Sequence, residues 1–326
     1  MSTLKYALKR LAFAVLTFFI IISICFLLVR ALPNDVNAQL GKDTELLIQQ
    51  RVKQGIMYPD GTKVPLMEQY WNFVTRTLLG GFNWGMSERL YPGRMCFDVF
   101  LEKLPNTVLV NSYSSLMAVP LGLLLGIVAA LKKNKWQDHV ISTGIMVFVS
   151  VPSYVYAFLI QYVLCFRLGW FPLVMNSGSN YFTWDMFRSM FPAVLALSLG
   201  SIAGYARFTR AELTEALTSE YLLLARTKGL TKAQTTVRHA LRNAMVPIFP
   251  SIISEVIAVL GGSLIIESIF VVPGVGPLYV ASITARDYNM FILLSAFYTL
   301  IGLVAGIVVD LSYGFIDPRI RMGSKK

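Results

Sequence analysis

The sequence predicts an all-α, multi-pass membrane protein with six transmembrane helices and both termini in the cytoplasm. Three observations predict this fold class: only 14% of the 326 residues are charged, apolar segments recur along the chain, and basic residues concentrate in alternate connections. Soluble domains carry about 25% charged residues, whereas 55% of this chain is hydrophobic. A cytosolic globular protein is therefore not expected.

The net charge of +11 does not indicate a nucleic-acid-binding protein. A basic patch on a soluble fold should not accompany a mean hydropathy of +0.60. The three cysteines, Cys25, Cys96 and Cys165, show no metal-binding spacing, and two of them lie inside apolar segments. Their number and placement exclude a disulfide framework.

Six segments are long and apolar enough to span a bilayer, for which a helix needs about 20 residues. The first is longer than the apolar part of a cleavable signal peptide, so we expect a retained helix. The fifth is interrupted only by Glu255 and Glu267. The predicted spans are residues 11–29, 107–131, 140–166, 189–206, 244–272 and 288–309.

The distribution of charge orients these spans. With the N-terminus inside, the inner segments hold 17 basic and six acidic residues, whereas the outer segments hold 12 basic and ten acidic residues. Cytoplasmic loops carry an excess of Lys and Arg. The whole excess of positive charge thus lies on the predicted cytoplasmic side, which supports six spans.

Two connections are too long to be simple turns. The outer one, residues 33–105, mixes eight basic and eight acidic residues with aromatic side chains and predicts a small, partly helical lobe. The inner one, residues 207–243, has apolar residues at helical spacing around one glycine and predicts helix, turn, helix. The predicted domains are an N-terminal helix, the outer lobe, a core of five helices and a cytoplasmic tail, at residues 1–32, 33–105, 106–317 and 318–326.

The inner connection carries the most informative pattern, EALTSEYLLLARTKGL followed by RHALRN. Gly229 can adopt a positive φ and end the first helix, with Arg226 and Lys228 placed where cations favour the helix dipole. A short helix held between two spans can move as a rigid lever. The alternative is an inert basic loop that only obeys the positive-inside rule.

This pattern resembles the cytoplasmic loop of permease subunits of binding-protein-dependent ABC importers, and more closely the B-type permease of the dipeptide/oligopeptide/nickel subfamily. Leu223 stands where the general importer signature has Glu, and His239 and Arg242 stand where it has Ile and Pro; these departures resemble the subfamily's own pattern. The resemblance implies a type I ABC importer permease fold and a loop that docks on an ATPase subunit. The docking residues it implies are Glu215, Ala216, Tyr221, Ala225, Arg226, Lys228, Gly229, Leu230, Arg238, His239, Arg242 and Asn243.

The resemblance extends over essentially the whole chain. Further segments that match the B-type pattern are residues 150–153, 168–172, 206–210, 267–276 and 317–321. Asn83 stands where the family usually has an acidic residue in a turn of the outer lobe, which leaves any charge-dependent role of that lobe open.

Two acids inside the fifth predicted span form a separate candidate site. An acid within a span is costly and normally faces a partner or a water-filled cavity. For Glu267, beside Pro273, Gly274 and Gly276, a structural role that supports an outer gate is favoured over direct substrate contact. Glu255 is expected to pair inside the helix bundle, and both acids are candidates for the substrate path.

Pairs of glycines four residues apart, which let helix backbones approach closely, are a further feature of the spans. They indicate packing within the bundle or against a second permease, although glycine is common in membrane helices. The pairs are Gly122 with Gly126, Gly200 with Gly204, and Gly302 with Gly306.

Neither a catalytic site nor a metal site is predicted. The chain has no GxxxxGK[ST] phosphate loop, and its two histidines, His139 and His239, have no nucleophile and carboxylate arranged around them. The resemblance therefore implies a transport subunit of the bacterial cytoplasmic membrane that binds no cofactor, while ATP and Mg²⁺ are held by partner ATPases. The implied partners are a homologous C-type permease, two ATPase subunits, an extracytoplasmic substrate-binding protein and the lipid bilayer, without nucleic acid.

The resemblance implies import of dipeptides or oligopeptides by alternating access. Nickel or another small solute is the alternative within the importer class, although no His/Cys cluster with ligand spacing lies in a span. A stand-alone channel or a membrane enzyme is the alternative outside it. A channel would favour pore-lining polar repeats and an enzyme a nucleophile with a base inside a span; the sequence shows neither.

Overall fold

A computed structural model describes residues 3–31, 49, 52, 55–178 and 180–316. The described part of the chain is built from helices, with two isolated β-bridges, Met57 with Lys63 and Met86 with Met95. The start of the predicted outer lobe, residues 33–48, and the predicted tail, residues 318–326, lie outside the described residues. The helices are α1 Thr3–Ala31, α2 Leu66–Leu79, α3 Cys96–Leu131, α4 Trp136–Ser150, α5 Ser153–Arg167, α6 Trp184–Leu217, α7 Glu220–Thr227, α8 Lys232–Ala258, α9 Leu264–Ile269, α10 Val275–Thr284 and α11 Tyr288–Ile316.

Within the described residues, five helices are long and apolar enough to cross a membrane, namely α1, α3, α6, α8 and α11. The predicted span 140–166 is helical but not continuous, because α4 and α5 meet at a bend of 103°. Val151 at the bend is extended, with φ −83° and ψ 127°. A proline clashes with a helical residue before it and cannot donate to the helix ladder, so Pro152 explains the break. Counted as one bent span, α4 and α5 bring the total to six.

The predicted span 244–272 is likewise interrupted, and its bounds differ from the prediction. Helix α8 ends at Ala258, and the chain is non-helical until Ser263 caps the short helix α9 by accepting a hydrogen bond from the Ile266 amide. Gly262 has a φ of +64°, which a helix cannot accommodate. The span is instead extended at its other end, since α8 begins at Lys232.

The predicted cytoplasmic connection 207–243 is shorter than expected, because the helices on both sides, α6 and α8, extend into it. Helix α6 continues without a break to Leu217, so Arg207 and Arg210 lie on the span helix itself. Between Leu217 and Lys232 only α7 and its flanking turns remain, and the start of α8 supplies the second helix of the predicted helix, turn, helix.

One compact unit comprises the described residues within 104–277, together with residues 3–7 and 304–316. Its α3 and α6 approach closely, because a Cβ on Gly122 or Gly126 would overlap Tyr205 or Thr209. Close approach is thus confirmed for the first glycine pair. Among the described residues, a Cβ on Gly204, Gly302 or Gly306 would meet no atom within 4 Å, whereas one on Gly200 would meet the Tyr156 hydroxyl.

The other unit comprises the described residues within 8–103, together with residues 278–303. Phe26 of α1 stacks on Phe73 of α2, and Ile292 of α11 packs in the same buried cluster. The hydroxyls of Ser23 and Tyr70 are hydrogen-bonded at 2.6 Å. The described part of the predicted lobe is therefore packed on the first span, so this unit is discontinuous in sequence; the domain boundaries stay a prediction.

Candidate functional site

Helix α7 presents an apolar face outward on the predicted cytoplasmic side. Leu222 and Ala225 are buried beneath it, whereas Tyr221, Leu223 and Leu224 are 41%, 59% and 57% exposed. Residues three apart lie on one face of a helix, so the buried pair anchors α7. The two exposed leucines lie outside the buried cluster that contains Leu222, and neighbouring exposed apolar side chains can mark an interaction site.

The end of α7 is fixed by backbone hydrogen bonds around a glycine. The amide of Leu230 donates to the Ala225 carbonyl at 3.4 Å, and the amide of Gly229 donates to the Arg226 carbonyl at 3.0 Å. This pair of bonds is a Schellman cap, which needs a left-handed residue at the position of Gly229. Gly229 has a φ of +88°, so the predicted positive φ is confirmed.

A small-residue core holds α7 against the ends of the spans. Leu222 packs in a buried cluster with Leu213 and Ala216 of α6 and with Ala240 and Ala244 of α8. Helix α8 then begins with a capping box, in which Thr231 and Gln234 each accept from the other's backbone amide. The small side chains allow the three helices to approach closely, so α7 is tied to both of them.

The structure exposes most of the residues predicted to dock an ATPase. Ala216 and Ala225 are buried, so in the structure they support the surface rather than form it. Leu230 and His239 are half-buried. The exposed members are Glu215, Tyr221, Arg226, Lys228, Gly229, Arg238, Arg242 and Asn243. The sequence singled out Leu223 only because it departs from the general importer signature, and it did not single out the exposed Leu224.

The carboxylate of Glu267 is fully buried and accepts four hydrogen bonds. Its Oε1 accepts from the Ser263 amide at 3.1 Å and from Asn111 Nδ2 at 3.3 Å. Its Oε2 accepts from the Thr107 hydroxyl at 3.0 Å and from the Gly276 amide at 3.1 Å. One side chain of α9 thereby ties together α3, the chain before α9 and the start of α10.

The segment Pro273–Gly276 is fixed around this carboxylate. The Pro273 carbonyl accepts from Asn106 Nδ2 at 3.0 Å, and the Val275 amide donates to the Thr107 hydroxyl at 2.8 Å. A Cβ on Gly274 or Gly262 would overlap the Glu267 carboxylate. The predicted set of Glu267, Pro273, Gly274 and Gly276 is thus brought together by the fold.

Glu255 does not belong to this network. It lies on α8, half-buried, and its Oε1 accepts from the Ser201 hydroxyl of α6 at 3.1 Å. Pairing inside the bundle is therefore confirmed as a hydrogen bond to a hydroxyl. The carboxylate also faces a cavity of about 120 Å³ that α3, α6 and α8 line together.

Sequence reasoning missed Thr107, Asn111 and Ser115 of α3. They are spaced four residues apart, so they lie along one face of a helix whose second half, from Leu116 onward, is apolar. A polar stripe in an apolar span was the available signal, since such side chains normally face the bundle interior.

Comparison with known proteins decides the family. Residues 122–322 match the family of binding-protein-dependent transport system inner membrane components. The chain is 31% identical over 320 residues to the dipeptide transport system permease protein DppB of Lactococcus lactis subsp. cremoris (strain MG1363), covering 98% of this chain and 99% of the relative. It is 31% identical over 319 residues to the glutathione transport system permease protein GsiC of Shigella boydii serotype 4 (strain Sb227), with the same coverage. This chain is a permease subunit of a binding-protein-dependent ABC importer.

A solved structure shows the same fold. The crystal structure of an amino acid ABC transporter with histidines superposes with a TM-score of 0.51 at 24% identity, covering 67% of this chain and 94% of that one. The type I importer permease fold is thus confirmed, and the permease is a multi-pass protein of the bacterial inner membrane.

An ion pair between the half-buried Arg210 and the buried Asp138 joins two helices at the predicted inner end of the permease. Arg210 of α6 donates from Nε to Asp138 Oδ1 at 2.6 Å and from Nη2 to Asp138 Oδ2 at 2.9 Å. The Asn134 amide donates to the same carboxylate at 3.0 Å. Sequence reasoning counted both residues as topological charges, whereas here a bidentate pair joins α4 to α6.

In the unit that includes residues 278–303, Asp287 is used in a comparable way. Its Oδ2 accepts from the Ser87 hydroxyl and from the amides of Arg89 and Leu90, both at 3.1 Å. Asn83 closes the adjoining turn by accepting from the Gly85 amide at 3.0 Å through its side-chain oxygen. An amide oxygen performs this turn closure without a charge, so Asn83 suffices where the family usually has an acid.

Among the described residues, nowhere do three or more His, Cys, Asp or Glu side chains group so as to hold a metal ion. The polar groups brought together here join neighbouring helices by hydrogen bonds and line a cavity.

Proposed function

We propose that the permease imports dipeptides or oligopeptides delivered by an extracytoplasmic substrate-binding protein. The names of the relatives, a dipeptide permease and a glutathione permease, support a small-peptide substrate. The coverage of nearly the full length of both chains supports a shared transport role. The chain itself is a transport subunit, and it binds no cofactor in this proposal.

Coupling to ATP is assigned to partner chains. Two ATPase subunits hold ATP and Mg²⁺, and a homologous C-type permease forms the other half of the translocation path. Closure of the ATPases moves α7, and because α7 is anchored to α6 and α8, its movement rocks those spans between outward-facing and inward-facing arrangements.

The observation that carries this proposal is the exposed apolar face of α7. Leu223 and Leu224 project outward from a helix whose other face is buried against the span ends. An exposed apolar patch of this kind marks an interaction site, and its rigid anchoring suits a helix that transmits force.

The test is replacement of both exposed leucines by serine. Leu223→Ser with Leu224→Ser should reduce the ATPase that co-purifies with the permease and reduce peptide uptake by at least tenfold, with membrane insertion unchanged. Leu131→Ser is the matched control, because Leu131 is an exposed leucine at the inner end of α3. Wild-type co-purification and uptake in the double variant would contradict the proposal.

A further inference from the structure

The cavity beside Glu255 is polar although it lies between membrane spans. Its volume is about 120 Å³, enough for a small charged group with a few waters. Leu197, Ala258, Val259 and Gly262 form the rest of the lining, which is otherwise made of amide, hydroxyl and carboxyl side chains. The polar lining residues are Asn111, Ser114, Ser115, Ser201, Glu255 and Ser263.

The charge of this cavity is negative. None of its lining residues, all of which lie in the described part of the chain, is Lys, Arg or His. The hydrogen bond that Glu255 accepts from Ser201 leaves further lone pairs on a carboxylate, which has about four acceptor positions. Ser201 occupies one acceptor position of the Glu255 carboxylate, and the remaining positions are available to a cation.

The end of α8 adds to this negative potential. Glu255 stands three residues before Ala258, where the helix ends, and Ala258, Val259 and Gly262 line the same cavity. The last carbonyls of a helix carry partial negative charge. In transporters, the ends of interrupted helices near the midplane serve as ion-binding positions, and α8 is interrupted here by the non-helical segment before α9.

We propose that this cavity binds the ammonium group of the transported peptide during translocation, with Glu255 as the charge partner. The inference rests on the proposed function, since it names the part of a peptide substrate that the permease contacts. An ammonium group donates up to three hydrogen bonds. The available acceptors are the Glu255 carboxylate, the hydroxyls of Ser114 and Ser115, and the amide oxygen of Asn111. The desolvation cost of an acid within the spans is offset when a cation occupies the cavity.

The test uses the purified complex of this permease with its partner chains, without the binding protein. The probes are radiolabelled trialanine with a free amino terminus and the same peptide N-acetylated. Charge-assisted hydrogen bonds contribute about 1.5–3 kcal/mol, so wild type should bind free trialanine at least tenfold more tightly than the acetylated form. Glu255→Gln should abolish this preference, and Glu255→Asp should restore part of it.

Glu212→Gln is the matched control, because Glu212 lies on α6 away from the cavity lining. It should keep the wild-type preference. Equal binding of the two peptides to wild type, or an unchanged preference in Glu255→Gln, would overturn the proposal. Binding of ²²Na⁺ that depends on Glu255 while trialanine binding does not would also overturn it, in favour of an inorganic cation.

A separate transport experiment tests peptide import itself, independently of the ammonium site. Wild-type proteoliposomes with the binding protein should accumulate peptide on addition of ATP. Absence of that uptake, with a metal or another solute transported instead, contradicts peptide import itself, whatever the binding measurements give.

Discussion

At the scale of single residues, Glu267 shows how a buried charge serves a fixed structure. Its two carboxylate oxygens satisfy two backbone amides and two side chains, so the acid is tolerated without an ion-pair partner among the described residues. Gly262 and Gly274 leave space for it that any Cβ would fill. These contacts support the gate-supporting role expected for Glu267 over direct substrate contact.

Glu267→Gln tests that role. An amide retains one acceptor oxygen and places an NH₂ group against donors, so two of the four donors lose their acceptor. Each buried donor left unpaired costs roughly 1–3 kcal/mol, so the purified permease should unfold at a lower temperature. The variant should also alter binding-protein-stimulated ATP hydrolysis, measured in proteoliposomes.

Thr107→Ser is the control for this experiment, since it keeps the hydroxyl that bridges Glu267 and the Val275 amide. It should resemble wild type in both measurements. A stimulation curve and an unfolding temperature for Glu267→Gln that match wild type would remove Glu267 from the gate.

At the scale of elements, the sequence predicts the end of α7 but not the breaks inside two of the predicted spans. Gly229 marks the end of α7 because its cap needs a positive φ, which is a local requirement that the residue type reveals. The breaks after Ser150 and Ala258 fall inside apolar segments, so a hydropathy pattern does not reveal them. Pro152 and Gly262 are the residues that could have indicated these breaks. A proline alone is not decisive, because Pro120 and Pro192 lie inside other span helices without ending them.

Gly229→Val tests the cap of α7. A β-branched residue is strongly disfavoured at a φ of +88°, at a cost of about 1–3 kcal/mol. The end of α7 should therefore refold locally while the spans insert as before. We expect a normal amount of permease in the membrane, with reduced ATPase co-purification and peptide uptake.

Gly144→Val provides the comparison, because Gly144 lies within α4 and a Cβ there meets no atom within 4 Å in the described structure. Its uptake should stay near that of wild type. Normal ATPase-coupled uptake by Gly229→Val would show that the cap does not contribute to coupling.

At the scale of the whole molecule, composition and charge were sufficient for the fold class, because hydropathy and the positive-inside rule act over many residues at once. The site networks were not predictable in the same way. Glu267 and Thr107 are 160 residues apart in sequence, and Asp138 and Arg210 are 72 apart. Which polar side chains meet depends on helix rotation and packing, which one sequence does not specify.

The bent pair α4 and α5 determines the topology of the whole chain. If the pair crosses the membrane, residues 207–243 lie in the cytoplasm with their seven basic residues. If the pair is a re-entrant loop, α6 runs the other way and exposes those seven residues outside, against the positive-inside rule. Charge therefore favours a crossing, despite the 103° bend.

Cysteine labelling decides between these topologies in a permease whose three native cysteines are replaced by serine. Lys133→Cys precedes the bent pair, Ser177→Cys follows it, and Thr218→Cys lies between α6 and α7; all three positions are exposed. In right-side-out vesicles, a membrane-impermeant maleimide should label position 177 at once and positions 133 and 218 only after permeabilisation. Labelling of 133 and 177 from the same side would make the pair re-entrant, and α7 could then not reach a cytoplasmic ATPase.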